Sequence, residues 1–397
     1  MEVKKGYKKT EVGVIPEDWD VRKLSDISML ATGTTPSTKD ISNYGSEFLF
    51  VSPQDLGEHK WIRKAEKALS VKGFSQARIF PANSILFTCI GSTIGKIGLT
   101  QFELTSNQQI NAIFPKDSFD SEFLYYELDY LAPKIKLLAG QQAVPIINKE
   151  EFSKTLILLP KKNEQRAIAE ALSDIDGLIS SLTKLIDKKK KIKQGAMQEL
   201  LTGKRRLEGF RGEWAEVQLG DIAQVTMGQS PDSRYYNTNS VGLPLVQGNA
   251  DIEDRKTIKR YYTSQITRTG KQGDIIMTVR APVGSVSKAL FDCCLGRGVC
   301  SIRYPNEFLY HYLVFVEADW GYLSKGSTFD SVNSIEVKNL ELIIPFDIEE
   351  QKAIANILSD MDAEIEALEI KLHKYKAIKK GMMQELLTGR IRLVEGA

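Results

Sequence analysis

Two stretches of the chain carry the same apolar rhythm. In the first, Ile168, Leu172, Ile175, Ile179, Leu182 and Ile186 follow one another in alternating steps of four and three, the spacing that forms the seam of a coiled coil. In the second, Ile354, Leu358, Met361, Ile365, Leu368, Leu372 and Tyr375 do the same. Each stretch closes on a Thr-Gly pair, Thr202-Gly203 and Thr388-Gly389, where glycine can take the left-handed turn that ends a helix. The first pattern predicts a helix over residues 163–201, on the order of 60 Å long at roughly 1.5 Å per residue. A helix of that length with a narrow seam is not stable alone. The expected partner is the other copy in the same chain; the alternative is that each helix lies along its own neighbouring domain. Ahead of each long helix the pattern changes to short β-rich runs broken by Gly, Pro, Asn and Ser, with one amphipathic helix near the end. Residues 85–89 and 275–279 read as strands, and residues 119–138 and 306–323 as helices.

The rhythm recurs because the chain repeats itself. Glu164-Gln165-Arg166-Ala167-Ile168-Ala169 returns as Glu350-Gln351-Lys352-Ala353-Ile354-Ala355, and Met197-Gln198-Glu199-Leu200-Leu201-Thr202-Gly203 as Met383-Gln384-Glu385-Leu386-Leu387-Thr388-Gly389, shifted by 186 positions (Met197 to Met383). Upstream the match is looser: Trp19, Leu24, Asp26-Ile27, Gly33 and Pro36 correspond to Trp214, Leu219, Asp221-Ile222, Gly228 and Pro231, shifted by 195 (Trp19 to Trp214). A later piece, Glu122-Phe123-Leu124-Tyr125, matches Glu307-Phe308-Leu309-Tyr310, shifted by 185 (Glu122 to Glu307). The frame is therefore shared and the filling differs. The plan this implies is an arm over 1–18, a variable domain over 19–158, a helix over 159–207, a second variable domain over 208–343 and a second helix over 344–397. Each variable domain has an ordinary domain size.

Composition narrows the chemistry. The 397 residues are 42% hydrophobic and 26% charged, as in soluble globular chains. No apolar run approaches the roughly 18 residues of a membrane span, and Met1-Glu2-Val3-Lys4-Lys5 leads into no apolar signal core. A cytoplasmic protein is expected, with no membrane partner. Cys89, Cys293, Cys294 and Cys300 form no C-x-x-C pair, and the histidines are only His59, His311 and His373, so neither a zinc site nor a disulfide framework is expected. Gly91-Ser92-Thr93-Ile94-Gly95-Lys96 imitates a phosphate-binding loop, but its spacer is one residue short and Ile97 stands where a magnesium-binding Ser or Thr is needed. Asp55, Glu58 and Lys60 imitate a nuclease's acidic cluster, yet lie too close in sequence to converge from two strands; a turn is the expected reading. The three clustered cysteines lack a neighbouring histidine to activate them and read as core. No catalytic site, metal or cofactor is expected in the chain.

What the variable domains offer instead is loops suited to reading base edges. Gln54-Asp55, Gln108-Gln109 with Asn111, and Gln141-Gln142 lie in the first; Gln247, Asn249, Arg280, Arg297 and Ser327-Thr328 lie in the second. Gln and Asn pair bidentately with adenine, and Arg with guanine. Lys60 and Arg63, and Arg255 and Lys256, are candidates for phosphate contacts. The net charge of +2 neither requires nor forbids a nucleic acid. The lysine run 188–191 with Lys193 reads either as a partner or DNA contact or as a solvated helix face.

The doubled segment ending Met-Gln-Glu-Leu-Leu-Thr-Gly, each copy opened by Glu-Gln-Arg or Glu-Gln-Lys, resembles the specificity subunit of type I restriction-modification systems. The likeness extends to Tyr7-Lys8-Lys9-Thr10-Glu11 and Ile15-Pro16-Glu17-Asp18-Trp19, and more weakly to residues 107–112, 280–284 and 296–298. It implies a mixed α/β fold: two target recognition domains separated by two long antiparallel coiled-coil helices, related as a circular pseudo-two-fold repeat. It implies that each domain reads half of a split site in double-stranded DNA, with half-sites about one to two helical turns apart, and that the helices set that gap. It further implies two modification subunits that use S-adenosylmethionine, and two restriction subunits that use ATP and magnesium, with no chemistry in this chain. A non-catalytic scaffold that binds proteins through its paired domains is the competing reading, and a stand-alone nuclease built on Asp55, Glu58 and Lys60 a third.

Overall fold

A computed structural model describes residues 5–116, 119–140, 143–317 and 331–393. Contacts divide the chain into two compact units, Met1–Leu182 with Lys371–Ala397, and Thr183–Ile370. Each unit therefore holds one variable domain and a part of both long helices.

In the first unit a five-stranded sheet runs in the order Ser28–Thr32, Ile110–Pro115, Ile85–Thr88, Ile97–Thr100, Trp61–Ile62, beside a four-stranded sheet ordered Lys67–Leu69, Tyr44–Val51, Leu104–Ser106, Ile79–Phe80. Side chains alternate across a strand, and the central strand uses both faces. Ile85 and Phe87 enter one core with the helix Ser121–Lys136, while Leu86 enters a second core with Val51, Phe80, Leu104 and Ala112. Burial on both faces is why this strand reads as an unbroken apolar run. The second unit repeats the topology: Gln224–Met227, Val299–Arg303, Ile275–Thr278, Val286–Lys288, Lys256–Thr257 and Ile252–Glu253 form one sheet, and a five-stranded sheet lies beside it. Again Ile275 and Met277 face one core and Ile276 the other. The expected strands at 85–89 and 275–279 are present as Ile85–Thr88 and Ile275–Thr278, and the expected helices as Ser121–Lys136 and Phe308–Val316.

The long helices are Lys162–Leu200 and Ile348–Leu386, 39 residues each. Gly203 and Gly389 both take φ of +69° just beyond them, and Thr202 and Thr388 hydroxyls donate to the carbonyls of Gln198 and Gln384, so the expected Thr-Gly stops are there. The seam residues are buried or half-buried. The expected pairing of the two helices is present, and each also packs on a domain core, so they are not independent of each other. Ile168 and Leu172 share the first unit's core with Leu386 and Leu387 of the other helix, and Ile354 and Leu358 share the second unit's core with Leu200 and Leu201. Within the first unit Lys379 pairs with Asp176 at 2.7 Å, and within the second Lys193 pairs with Asp362 at 2.5 Å. These are one ion pair written twice, since each partner moves by the same 186 positions (Asp176 to Asp362, Lys193 to Lys379). Within each unit the two helix segments thus run antiparallel. The lysine run is part of this pairing: Lys189 meets Glu364 and Lys190 meets Glu369, each at 2.6 Å.

Candidate nucleic-acid interface

In each unit one end of the central strand pair carries a cluster of loops. In the first, Ile85–Thr88 is antiparallel to Ile110–Pro115, with Thr88 opposite Ile110. Cys89 continues the ladder by donating its N–H to Gln109 O at 2.8 Å, Gly33 donates to Ile110 O, and Ile90 bridges Ile146. The loops 33–36, 89–95, 107–109 and 143–147 therefore converge. In the second unit Thr278 stands opposite Val299, Val279 donates to Gly298 O at 2.9 Å, Gly228 donates to Val299 O, and Arg280 bridges Ser331. Glycines make the convergence possible. A Cβ on Gly33 would lie 2.2 Å from Asn107 O, and one on Gly298 would lie 2.1 Å from Gln247 O.

These loops carry many of the predicted base-reading residues. Gln108 is exposed, and its Oε1 accepts from the Thr35 hydroxyl at 2.6 Å; Gln109 Oε1 accepts from the Asn107 amide at 3.0 Å. Gln247 Oε1 accepts from the Tyr236 hydroxyl, and the exposed Arg297 is held by its backbone N–H on Ser230 Oγ at 3.1 Å. Arg280 is exposed, as are Asn249, which opens the turn Asn249–Asp251, and Arg63. Gln54 is exposed and bonds Glu66. Gln141, Gln142, Ser327 and Thr328 lie outside the described residues. Sequence reasoning passed over Arg78, whose N–H donates to Thr34 Oγ1 and whose guanidinium donates to Thr32 O, both at 2.7 Å. It also passed over Thr35 and Ser230, which hold Gln108 and Arg297. A hydroxyl amid small residues gives no local signal of that role.

Five predicted contacts have partners within the fold; Lys60 and Asn111 are buried by theirs, whereas Arg255 and Lys256 stay on the surface. Lys60 is 7% exposed; its ammonium binds Glu122 Oε2 and Ser173 Oγ, each at 2.6 Å, near the faces of Trp61 and Tyr126. It anchors the domain to the long helix. Arg255 donates to Val286 O at 3.1 Å and pairs with Glu317, and Lys256 pairs with Glu366 at 2.5 Å. Asp55 accepts from Ser52 N, Ser52 Oγ and Glu66 N, so it closes a turn, as expected of a decoy. Asn111 is buried and accepts from the Thr32 hydroxyl at 2.7 Å.

The other chemical groups are structural. The four cysteines are free and buried, and burial pushes the Cys89, Cys293 and Cys300 thiols up to about 12, away from thiolate reactivity. Among the described residues no group of three or more His, Cys, Asp or Glu could hold a metal ion, and no helix is long and apolar enough to cross a membrane. Two buried titratable groups sit where domain meets helix. Burial raises Glu127 to about 8, partly offset by the Leu158 N–H that it accepts. Burial, with Lys193 and Lys288 nearby, lowers His311 to about 3, and its Nε2 meets Ser359 Oγ at 2.9 Å.

Comparison with known proteins places the chain. The family described as type I restriction modification DNA specificity domain matches residues 16–194 and again 211–374. The provisionally named type I restriction enzyme MjaX specificity subunit of Methanocaldococcus jannaschii is 31% identical over 417 aligned positions, covering 98% of this chain and 97% of that protein. The type I restriction-modification S subunit of M. genitalium shares the fold with a TM-score of 0.65 at 16% identity, over 97% of this chain and 98% of that one. A chain from a structure reported for complex assembly and conformational transition of the type I R-M system does so at 0.61 and 22% identity, over 95% and 99%. Matched in both halves by the family and along nearly its whole length by a relative, this chain belongs to the type I restriction-modification specificity subunits.

Proposed function

We propose that this chain is the non-catalytic DNA-reading subunit of a cytoplasmic type I restriction-modification complex. Each variable domain reads one half of a bipartite site, and the long helices set the gap between the halves. The observation that carries this reading is the loop cluster built twice on one topology. Its scaffold bonds are repeated, Cys89 N–H to Gln109 O and Val279 N–H to Gly298 O, whereas its exposed side chains differ. A surface of constant frame and variable polar groups suits two different base sequences.

The helices also suit partner subunits. Outside the seam, Leu178, Leu185 and Ile192 remain 39–49% exposed at seven-residue intervals, a second apolar stripe of the kind that receives a partner helix. Two modification subunits with S-adenosylmethionine, and two restriction subunits with ATP and magnesium, complete the assembly. The test is a map of adenine methylation in the source genome with the gene intact and deleted. A bipartite motif of fixed gap that disappears on deletion is expected; methylation unchanged by deletion, in cells that make all the subunits, overturns the reading.

A further inference from the structure

The two loop clusters are built alike but charged differently, and the difference lies at one pair of positions. In the second unit Thr278 stands opposite Val299, and Val279 donates to Gly298 O. Arg280 follows Val279 and Arg297 precedes Gly298, so the two flank that bond, Arg297 within the turn that Val299 N–H closes on Gly296 O. In the first unit Thr88 stands opposite Ile110, and Cys89 donates to Gln109 O, so Ile90 and Gln108 flank the equivalent bond. Two like charges flanking one backbone bond repel each other unless something between them accepts their hydrogen bonds. Arg280 and Arg297 are both exposed, and neither guanidinium has a hydrogen-bond or ion-pair partner among the described residues.

Their backbones are nonetheless fixed. Arg280 bridges Ser331, and Arg297 hangs from Ser230 Oγ between two glycines whose added Cβ atoms would strike Gln247. Two guanidinium forks on rigid backbone at the end of a strand pair form a site for an acceptor-rich edge. Among base edges in the major groove, guanine alone presents two acceptors, O6 and N7, to one fork.

From this we infer that the half-site read by the second unit contains guanine, and that Arg280 and Arg297 determine that part of the specificity. The first unit, with an amide and an alkyl group at the same positions, reads its half without a guanidinium there. The inference rests on the proposed DNA-reading role.

Its test is a methylation map in cells expressing the full chain with its partner subunits. Exchanging residues 19–158 for those of a relative changes one half of the motif; the half that stays belongs to the second unit and is expected to contain a G·C pair. Arg280→Gln and Arg297→Gln should each relax one position of that half, with discrimination falling about tenfold or more, and leave the other half unchanged. Arg297→Lys should restore the wild-type motif only in part, because an ammonium lacks the planar fork that fits both guanine acceptors.

A retained half without any G·C pair overturns the inference. So does uniformly weaker methylation with the motif intact, which marks the arginines as phosphate contacts. A gene-dependent bipartite motif present in each of those cases leaves the broader reading standing, whereas no such motif at all removes both.

Discussion

At the start of each long helix a buried glutamate accepts a two-pronged arginine. Glu164 takes Arg392 at 2.5 and 2.8 Å, and Glu350 takes Arg206 at 2.6 and 2.7 Å. The pairs are equivalent under the repeat, yet their surroundings differ. Trp19 donates its indole N–H to Glu164 at 3.0 Å, and Asp18 adds a second carboxylate to Arg392 at 2.8 and 2.9 Å. In the second unit the Trp214 indole N–H has no partner among the described residues. The first pair also closes a longer stretch of chain, 228 positions against 144. That difference in closure entropy amounts to only about 0.4 kcal/mol, whereas each hydrogen bond to a charged group contributes about 1.5–3 kcal/mol. The first junction should therefore be the sturdier. The comparison teaches that the repeat preserves the anchoring pair and lets its support vary.

Removing the arginine probes this most strongly. Breaking a buried pair from one side costs about 3–5 kcal/mol, because the remaining charge is left buried and unpaired. Arg206→Ala should cost that much, measured by hydrogen exchange at the start of the Ile348–Leu386 helix. Arg392→Ala should cost about 1–2 kcal/mol less at the start of Lys162–Leu200, since Trp19 still satisfies Glu164. Equal losses, or the opposite order, would show that the indole bond carries no weight.

A second contrast concerns the backbone N–H of the strand that returns to the helix. Glu127 accepts it from Leu158, and Tyr312 accepts it from Ile343 in the equivalent place. The tyrosine does so without a charge, while Glu127 is fully buried with Oε2 unpartnered and is raised to about 8. A carboxyl raised in the folded state stabilises most below its unfolded value, near 4.5, and that contribution is lost as pH rises through about 8. Glu127→Gln, which bonds without ionising, should therefore gain on the order of 2 kcal/mol over the native chain at pH 8.5 and little at pH 4.5. The check is a denaturant midpoint at both pH values; a pH-independent difference would place the ionisation elsewhere. Smaller again is the indole effect taken alone: Trp19→Phe should destabilise by about 1.5 kcal/mol more than Trp214→Phe, read in the same denaturant series.

Much of the fold was legible because it is written locally. The seven-residue seams, the Thr-Gly stops and the apolar runs at 85–89 and 275–279 each depend on neighbours within a few positions, and the repeat exposed the frame. The site was legible only in part. Gln108, Gln109, Arg280 and Arg297 announce themselves by residue type, and they stand in the loop clusters. Lys60 does not stand on the surface as a phosphate contact would, and the sequence did not show it because a basic residue looks the same whether it faces water or a distant carboxylate; Lys60 meets Glu122, 62 positions away. Asn111 was misplaced for a related reason, since only the pairing of Asn111 with Thr32 across two strands turns its amide into the sheet. That Arg280 and Arg297 flank one backbone bond, Val279 N–H to Gly298 O, is likewise visible only once the strand pairing is known.

The smallest contrast is the ion pair that the repeat writes twice. Lys193 meets Asp362, whose side chain is 44% exposed, while Lys379 meets Asp176, which is 23% exposed and also accepts the Tyr126 hydroxyl at 2.8 Å. An exposed pair contributes about 0.2–1 kcal/mol, so Lys193→Ala should cost roughly 0.5 kcal/mol near pH 7. That cost should be the same near pH 5, because burial, the largest cause of the His311 value of about 3, keeps the imidazole neutral with or without Lys193. Lys379→Ala should cost more, about 1 kcal/mol, since Lys379 also offsets the repulsion between Asp176 and Asp129, whose carboxyl burial already raises. Hydrogen exchange of the two helices at pH 7 and pH 5 separates the cases. Equal costs at pH 7 would mean that the second copy is screened no better than the first and that Asp129 does not feel Asp176.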